Sequence, residues 1–171
     1  MLKFKESRLR LIAQMINSII KERTTSGIDK FGKSFKEYST KPFKTSYKGF
    51  PNKGILKQMV KSEQAVVFEN AKGYKMVLVK IGYADYKKQL YAKTNYSGKV
   101  NLTLSGRMLQ DQTVLRASEN TIIIGFNNRD MAKRAAQNIS RGRDFLGLPN
   151  EVLLNDPRLS KLIFDIGGLD I

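Results

Sequence analysis

Apolar residues near the start of the chain recur every three or four positions. The set consists of Leu9, Ile12, Met15, Ile16, Ile19 and Ile20. This spacing places them on one face and predicts a helix over residues 4–23, with Gly27 suited to the left-handed position after it. We interpret the stripe as a packing face toward the chain's own core or a neighbouring subunit. Because the opposite face is basic, a membrane-surface helix is the alternative.

The pattern changes further along, where short runs of β-branched and aromatic residues alternate with turn residues. Residues 65–69 and 74–81 predict one hairpin, and residues 113–117 and 121–126 predict a second. The three isoleucines at 122–124 predict burial on both faces of their strand. A strand or an extended segment is expected over 100–104, and short helices over 83–94, 107–112, 131–139 and 157–164. Ser105 is the candidate cap of the helix over 107–112, and Asn128 or Asp130 is the candidate cap of the helix over 131–139. Together these elements predict an α+β fold: a long N-terminal helix, a mainly antiparallel sheet and short helices.

Residues 27–58 do not follow either pattern, and we interpret them as a basic, aromatic-rich connector. Six aromatic residues are interleaved with lysines, and Pro42 and Pro51 interrupt regular structure. A bare loop of this length is uncommon inside a compact domain. We therefore predict that the connector contacts another protein chain and is poorly ordered in the free monomer.

Charge divides the chain unequally. Residues 1–100 carry 22 Lys/Arg against 7 Asp/Glu, whereas residues 101–171 carry 9 against 8, within a net charge of +16. The absence of histidine and cysteine from the sequence excludes thiolate and imidazole nucleophiles, disulfides and the usual zinc ligand sets. It leaves open a magnesium or calcium ion held by carboxylates and a Ser/Lys or Asp/Glu site. No apolar run approaches the length of a membrane span. We expect a binding or assembly protein without catalytic residues, metal or cofactor, whose partner is nucleic acid or an acidic protein surface.

One motif points to a different chemistry. Residues 27–34 match the phosphate-binding pattern G-x-x-x-x-G-K-[ST]. That loop functions when a buried strand precedes it and a helix follows it, so that backbone N–H groups surround the phosphates. Here a predicted helix precedes the motif and Pro42 lies shortly after it. We therefore interpret the match as structural, and a phosphoryl-transfer enzyme is the alternative that nucleotide binding would reveal.

The stretch from Arg141 to Pro149 has two arginines around a glycine, followed by apolar residues. One interpretation is a junction between a helix and a loop, with Phe145 and Leu146 filling the core. The other is an interface anchor, since arginine and aromatic residues are concentrated at binding hot spots. We predict an assembly interface formed by Phe35, Tyr38, Phe43, Tyr47, Arg141, Arg143, Phe145 and Leu146.

Three blocks of the sequence, the first at 27–39, the second at 100–109 and the third at 143–148, resemble elements of the virion-morphogenesis and tail-completion proteins of tailed phages. The segment VNLTLSGRML at 100–109 is similar to their VNLTLTGRML element. The segment RDFLGL at 143–148 is similar to their R-P-F-L-G-L closing block. Residues 27–39 are similar to their G-x-D-x-x-G-x-x-F-x-x-Y-S opening, in which Phe35 and Tyr38 are packing residues. Ser105 and Asp144 depart from the family pattern.

The resemblance implies a small α+β protein of the virion neck, assembled in the host cytoplasm. Such proteins form a ring of six or twelve copies that joins the portal or connector side to the tail, and no catalytic residue is implied. On this basis we expect a single domain over 1–149, with residues 150–171 as a C-terminal extension that docks on a neighbour. A basic DNA-binding module without catalytic activity is the competing interpretation of the same charge pattern.

Overall fold

The computed structural model describes residues 5–90, 100–102, 106–118 and 121–164. Its helices and strands, in chain order, are α1 (Glu6–Thr25), β1 (Phe43–Ser46), α2 (Lys53–Lys61), β2 (Ala65–Glu69), β3 (Lys75–Val79), α3 (Tyr83–Leu90), α4 (Arg107–Asp111), β4 (Gln112–Ser118), β5 (Thr121–Phe126), α5 (Arg129–Ser140), α6 (Asn150–Asn155) and α7 (Pro157–Phe164). The predicted α+β class, with its long N-terminal helix and antiparallel strands, is confirmed. None of the helices in these ranges is long and apolar enough to cross a membrane.

The chain divides into two compact units, which differs from the single domain expected over residues 1–149. Unit 1 consists of Met1–Lys36 and Asn101–Ile171, and unit 2 consists of Glu37–Val100. Unit 2 is therefore inserted in the sequence between the two segments that build unit 1.

Helix α1 supplies the centre of unit 1. Leu9 and Ala13 pack with Ala117 of the β4–β5 hairpin, while Ile12 and Ile19 pack with Leu159 of α7. The predicted apolar stripe is thus confirmed as a packing face, and it is covered by the chain's own elements. Of the two packing partners considered, the chain's own core is the one that the structure shows, because the β4–β5 hairpin and α7 occupy this face.

The C-terminal helices complete the same core. The predicted helix at 157–164 is confirmed as α7, and α6 precedes it. The Asp156 carboxylate accepts a hydrogen bond from the Arg158 backbone amide. It also accepts one from the Arg158 guanidinium group, and this second bond lowers the pKa of Asp156. Leu159 is fully buried. Residues 150–164 therefore build unit 1, whereas the sequence analysis placed them outside the domain.

The β4–β5 hairpin corrects one expectation. Ile122 packs toward α1, but Ile123 is 45% exposed, so the isoleucine run is not buried on both faces. The cause is that the hairpin is a two-stranded sheet with α1 on one side, and alternate residues of β5 point away from that helix. The expected turn residues 119–120 lie outside the described residues.

Unit 2 is an antiparallel sheet in the order β1-β3-β2, with α2 and α3 contributing to its core. The β2–β3 hairpin is confirmed, and the side chain of Asn70 accepts hydrogen bonds from the amides of Lys72 and Tyr74 in its turn. Helix α3 begins at the expected residue, Tyr83, and ends at Leu90; the expected residues 91–94 lie outside the described part.

The segment 27–58 is not the irregular connector expected from the sequence, because much of it belongs to this core. Its contact with another protein chain stays a prediction. The segment contains β1 and the first residues of α2, and Phe50 is 3% exposed. Pro42 and Pro51 lie just before those two elements, where the missing N–H group costs no hydrogen bond.

The remaining expectations concern the second block and α5. Residues 100–102 are described and are not part of a strand, and the expected cap Ser105 lies outside the described residues. Helix α4 begins after Gly106, whose φ is 72°. Asn128 caps α5 by accepting hydrogen bonds from the amides of Asp130 and Met131, which confirms the first of the two candidate caps.

The contact between α7 and α1 predicts a large effect of Leu159→Ala on stability. Removal of a fully buried leucine is expected to lower the free energy of unfolding by roughly 2–5 kcal/mol. Phe164→Ala, on the same helix but 60% exposed, is the matched control and should change it by less than about 0.5 kcal/mol. Urea unfolding of the dilute chain measures both, and equal effects of the two substitutions would contradict this packing.

Candidate functional site

The segment that matches the phosphate-loop pattern is a closed hairpin. Ile28 and Ser34 form an antiparallel bridge, and Gly27 and Gly32 have φ angles of 82° and 85°. The Asp29 carbonyl oxygen accepts a hydrogen bond from the Arg23 guanidinium group at 2.8 Å. We call residues 27–34 the Asp29 hairpin.

Every amide from Asp29 to Lys33 has an acceptor within the chain. The Asp29 side chain accepts hydrogen bonds from the amides of Phe31 and Lys33, at 2.9 and 2.8 Å. The amides of Asp29, Lys30 and Gly32 donate to backbone carbonyl groups. A phosphate-binding loop needs these N–H groups for its ligand, and here a carboxylate already occupies two of them. The hairpin also follows a helix, α1, so the match to the motif reflects a turn structure.

The first and third sequence blocks meet in unit 1, although more than 100 residues separate them. The Lys30 amide donates to the Asp144 carbonyl oxygen at 2.8 Å, and the Lys30 ammonium group lies 2.6 Å from the Asp144 carboxylate. The Arg143 Nε donates to the Lys36 carbonyl oxygen at 3.0 Å. We call this set of four residues the block junction.

The second block reaches the same region through α5. Asn138 of α5 accepts a hydrogen bond from the Arg143 amide at 3.0 Å through its carbonyl oxygen. Its side-chain amide lies 3.9 Å from the sulfur of Met108, which is buried in α4. The blocks at 27–39 and 143–148 therefore contact each other directly, and Met108 of the block at 100–109 is linked to them through Asn138.

The predicted interface residues of unit 1 separate into two kinds. Phe35, Arg143 and Phe145 are buried, at 5%, 6% and 2% exposure, and Leu146 is half-buried. Arg141 is exposed. Burial limits what the first three can offer a partner, so within this group Arg141 is the residue available for contact.

The predicted interface residues of unit 2 are half-buried. The Tyr38 hydroxyl accepts a hydrogen bond from the buried ammonium group of Lys87 at 2.9 Å. The Phe43 ring lies 5.4 Å from that of Tyr83, between centroids. Tyr47 packs against the same core. All three have contacts within their own unit, and their role in an interface stays a prediction.

Sequence analysis did not single out Phe31, which is 64% exposed at the tip of the Asp29 hairpin. The Lys30 ammonium group lies 4.9 Å from the centroid of its ring. The available signal was its place between two glycines of the same motif, since such glycines are typical of a tight turn with an exposed tip.

A shallow groove of about 470 Å³ lies between α1 and β4. Its lining includes Glu6, Arg10 and Arg116, so one carboxylate faces two guanidinium groups. Glu6 and Arg10 already form an ion pair at 3.4 Å. None of the predicted interface residues lines this groove.

Comparison with known proteins gives no relative from which to infer a function: no family model, curated protein or solved structure matches the chain.

The block junction predicts that the two arginines around Gly142 are not equivalent. Arg143→Met leaves the Lys36 carbonyl oxygen without this donor, and we expect the free energy of unfolding to fall by about 1–3 kcal/mol. Arg141→Met removes the same charge at an exposed position and should change it by less than about 0.5 kcal/mol. Thermal and urea unfolding measure both variants, and similar losses would contradict the structural role of Arg143.

Proposed function

We propose that this protein is a structural component of a tailed-phage virion that forms a ring at the neck and joins portal-side proteins to the tail. The observation that carries the proposal is the convergence of the three blocks that resemble tail-completion proteins. Blocks that resemble one family by chance have no reason to meet in the fold, whereas parts of one ancestral module do. In this proposal the protein is assembled in the host cytoplasm, acts in the virion and does not catalyse a reaction.

The Asp29 hairpin is the part of unit 1 best suited to contact a neighbouring copy. Its backbone is held by Asp29, Arg23 and Asp144, so the exposed ring of Phe31 is presented with little conformational freedom to lose on binding. Rigid aromatic residues of this kind are typical of interface hot spots. In a head-to-tail ring, the hairpin of one copy inserts into a different surface of the next copy.

Charge opposes this association at low ionic strength. Each copy carries a net charge of +16, so neighbouring copies repel one another unless salt or an acidic partner screens them. Self-association is therefore expected to strengthen as salt rises from a low value, which distinguishes it from the binding of a polyanion. Acidic surfaces on portal or tail proteins would relieve the same repulsion in the assembled virion.

The proposal predicts that Phe31→Ser weakens self-association. Loss of a hot-spot ring is expected to raise the dissociation constant by about 30-fold, which corresponds to roughly 2 kcal/mol. Tyr74→Ser is the matched control, because Tyr74 is 65% exposed but lies in the β2–β3 turn of unit 2. Analytical ultracentrifugation over a series of concentrations and salts measures both, with Tyr74→Ser expected to behave as the wild type.

Two results would count against the proposal. The first is a wild-type chain that stays monomeric at every concentration and salt, alone and with portal or tail proteins. The second is self-association that Phe31→Ser and Tyr74→Ser reduce equally, since a hairpin-centred interface distinguishes them.

A further inference from the structure

We propose that unit 2 binds the phosphate backbone of double-stranded nucleic acid through lysines held around Tyr47 and Phe68. The inference does not rest on the proposed role in assembly. It starts from the composition of unit 2, which has 13 lysines and no arginine against four acidic residues. The segments on either side mix lysine with arginine, so a basic set made of lysine alone is particular to unit 2.

Two of these lysines share one aromatic ring. The ammonium groups of Lys53 and Lys75 lie 3.9 and 4.8 Å from the centroid of the Tyr47 ring. Their separation cannot exceed the sum of those distances, 8.7 Å. Lys53 also donates a hydrogen bond to the Tyr47 carbonyl oxygen. The ring and this bond hold the two like charges against one side chain.

A third ammonium group lies at the same end of the sheet but on its other face, since Lys75 precedes Met76 on β3 and side chains alternate between faces. Lys44 of β1 lies with its ammonium group 5.6 Å from the centroid of the Phe68 ring, on β2. Ser46 and Phe68 both pair with Met76 of β3, so this ring lies at the end of the sheet where β1 leads into Tyr47. We call Lys44, Lys53 and Lys75 the lysine triad.

No ammonium group of the triad forms an ion pair in the part of the chain that the structure describes, although Glu69 of β2 is the register partner of Lys75. No described carboxylate lies within 4.0 Å of the three ammonium groups, whereas Lys88 of the same unit pairs with Asp85 at 3.2 Å. Three solvated lysines with positioned ammonium groups can each release a counterion when they contact a phosphate. That release is the main driving force for sequence-independent binding of nucleic acid.

The chemistry of the triad favours a phosphate backbone over an acidic protein surface. Lysine is a point charge without the planar fork that reads bases or pairs with carboxylates in a bidentate manner, and it is depleted at protein–protein interfaces. The arrangement also favours a duplex over a single strand. Single-strand binding uses exposed rings as stacking platforms, whereas the Tyr47 ring is half-buried with two ammonium groups against it.

The test is a titration of the full chain with duplexes of two unrelated sequences over a series of salt concentrations. We expect equal affinity for both sequences and a logarithmic affinity that falls linearly with the logarithm of salt concentration. The triple substitution K44Q/K53Q/K75Q should make that slope shallower by about three, one unit for each lysine that no longer neutralises a phosphate. The matched control is K57Q/K61Q/K80Q, which changes three exposed lysines of unit 2 outside the two ring contacts and should retain most of the slope.

Several outcomes would overturn the inference. The first is that no duplex binds at low salt. The second is that the triad and control variants lose the same amount of slope, and the third is that poly-glutamate binds more tightly than duplex. Tighter binding of a single strand would overturn the choice of duplex. Circular dichroism checks that both triple variants are folded. The Phe31→Ser variant should bind duplex as the wild type does, which separates this inference from the proposed role in assembly.

Discussion

Contact between its two chain segments is the constraint on which unit 1 depends: α1 packs on the β4–β5 hairpin and α7, and Lys30 contacts Asp144. The sequence of unit 2 is inserted between these two segments. A long intervening segment adds a closure cost that grows only slowly with its length, so a few well-placed contacts suffice to hold the two ends. The ion pair alone is worth little, since about a third of each side chain is exposed. The backbone hydrogen bond beside it and the buried Arg143 supply the more specific contacts.

Much of the secondary structure could be predicted from local pattern. The periodicity of Leu9 to Ile20 predicts α1, the turn residues at 70–73 predict the β2–β3 hairpin, and Asn128 predicts the start of α5. Each of these signals lies within one element and its immediate neighbours. The exposure of Ile123 within the run 122–124 was not predictable in this way, because it depends on whether one or both faces of the β4–β5 hairpin are covered by other elements.

The division into units and the state of the site residues depend on distant partners, which a single sequence does not reveal. Strand β1 is four residues long within a lysine-rich segment, and its identity as a strand comes from pairing with β3. Arg141 and Arg143 are equivalent by local sequence, but Arg143 is buried because a carbonyl group 107 positions earlier lies beside it. The phosphate-loop pattern also cannot be interpreted from local sequence alone. The Asp29 side chain accepts hydrogen bonds from the amides of Phe31 and Lys33, which would otherwise bind a phosphate.

Amide hydrogen exchange of the dilute monomer tests the central claim most directly, namely that the blocks at 27–39 and 143–148 form one ordered feature within a single chain. If the Asp29 hairpin and the block junction are formed, the amides of Lys30, Lys33 and Phe35 should exchange nearly as slowly as those in the middle of α1, since each donates a hydrogen bond within unit 1. Exchange of these amides at the rate of an unstructured chain, while α1 stays protected, would contradict the account.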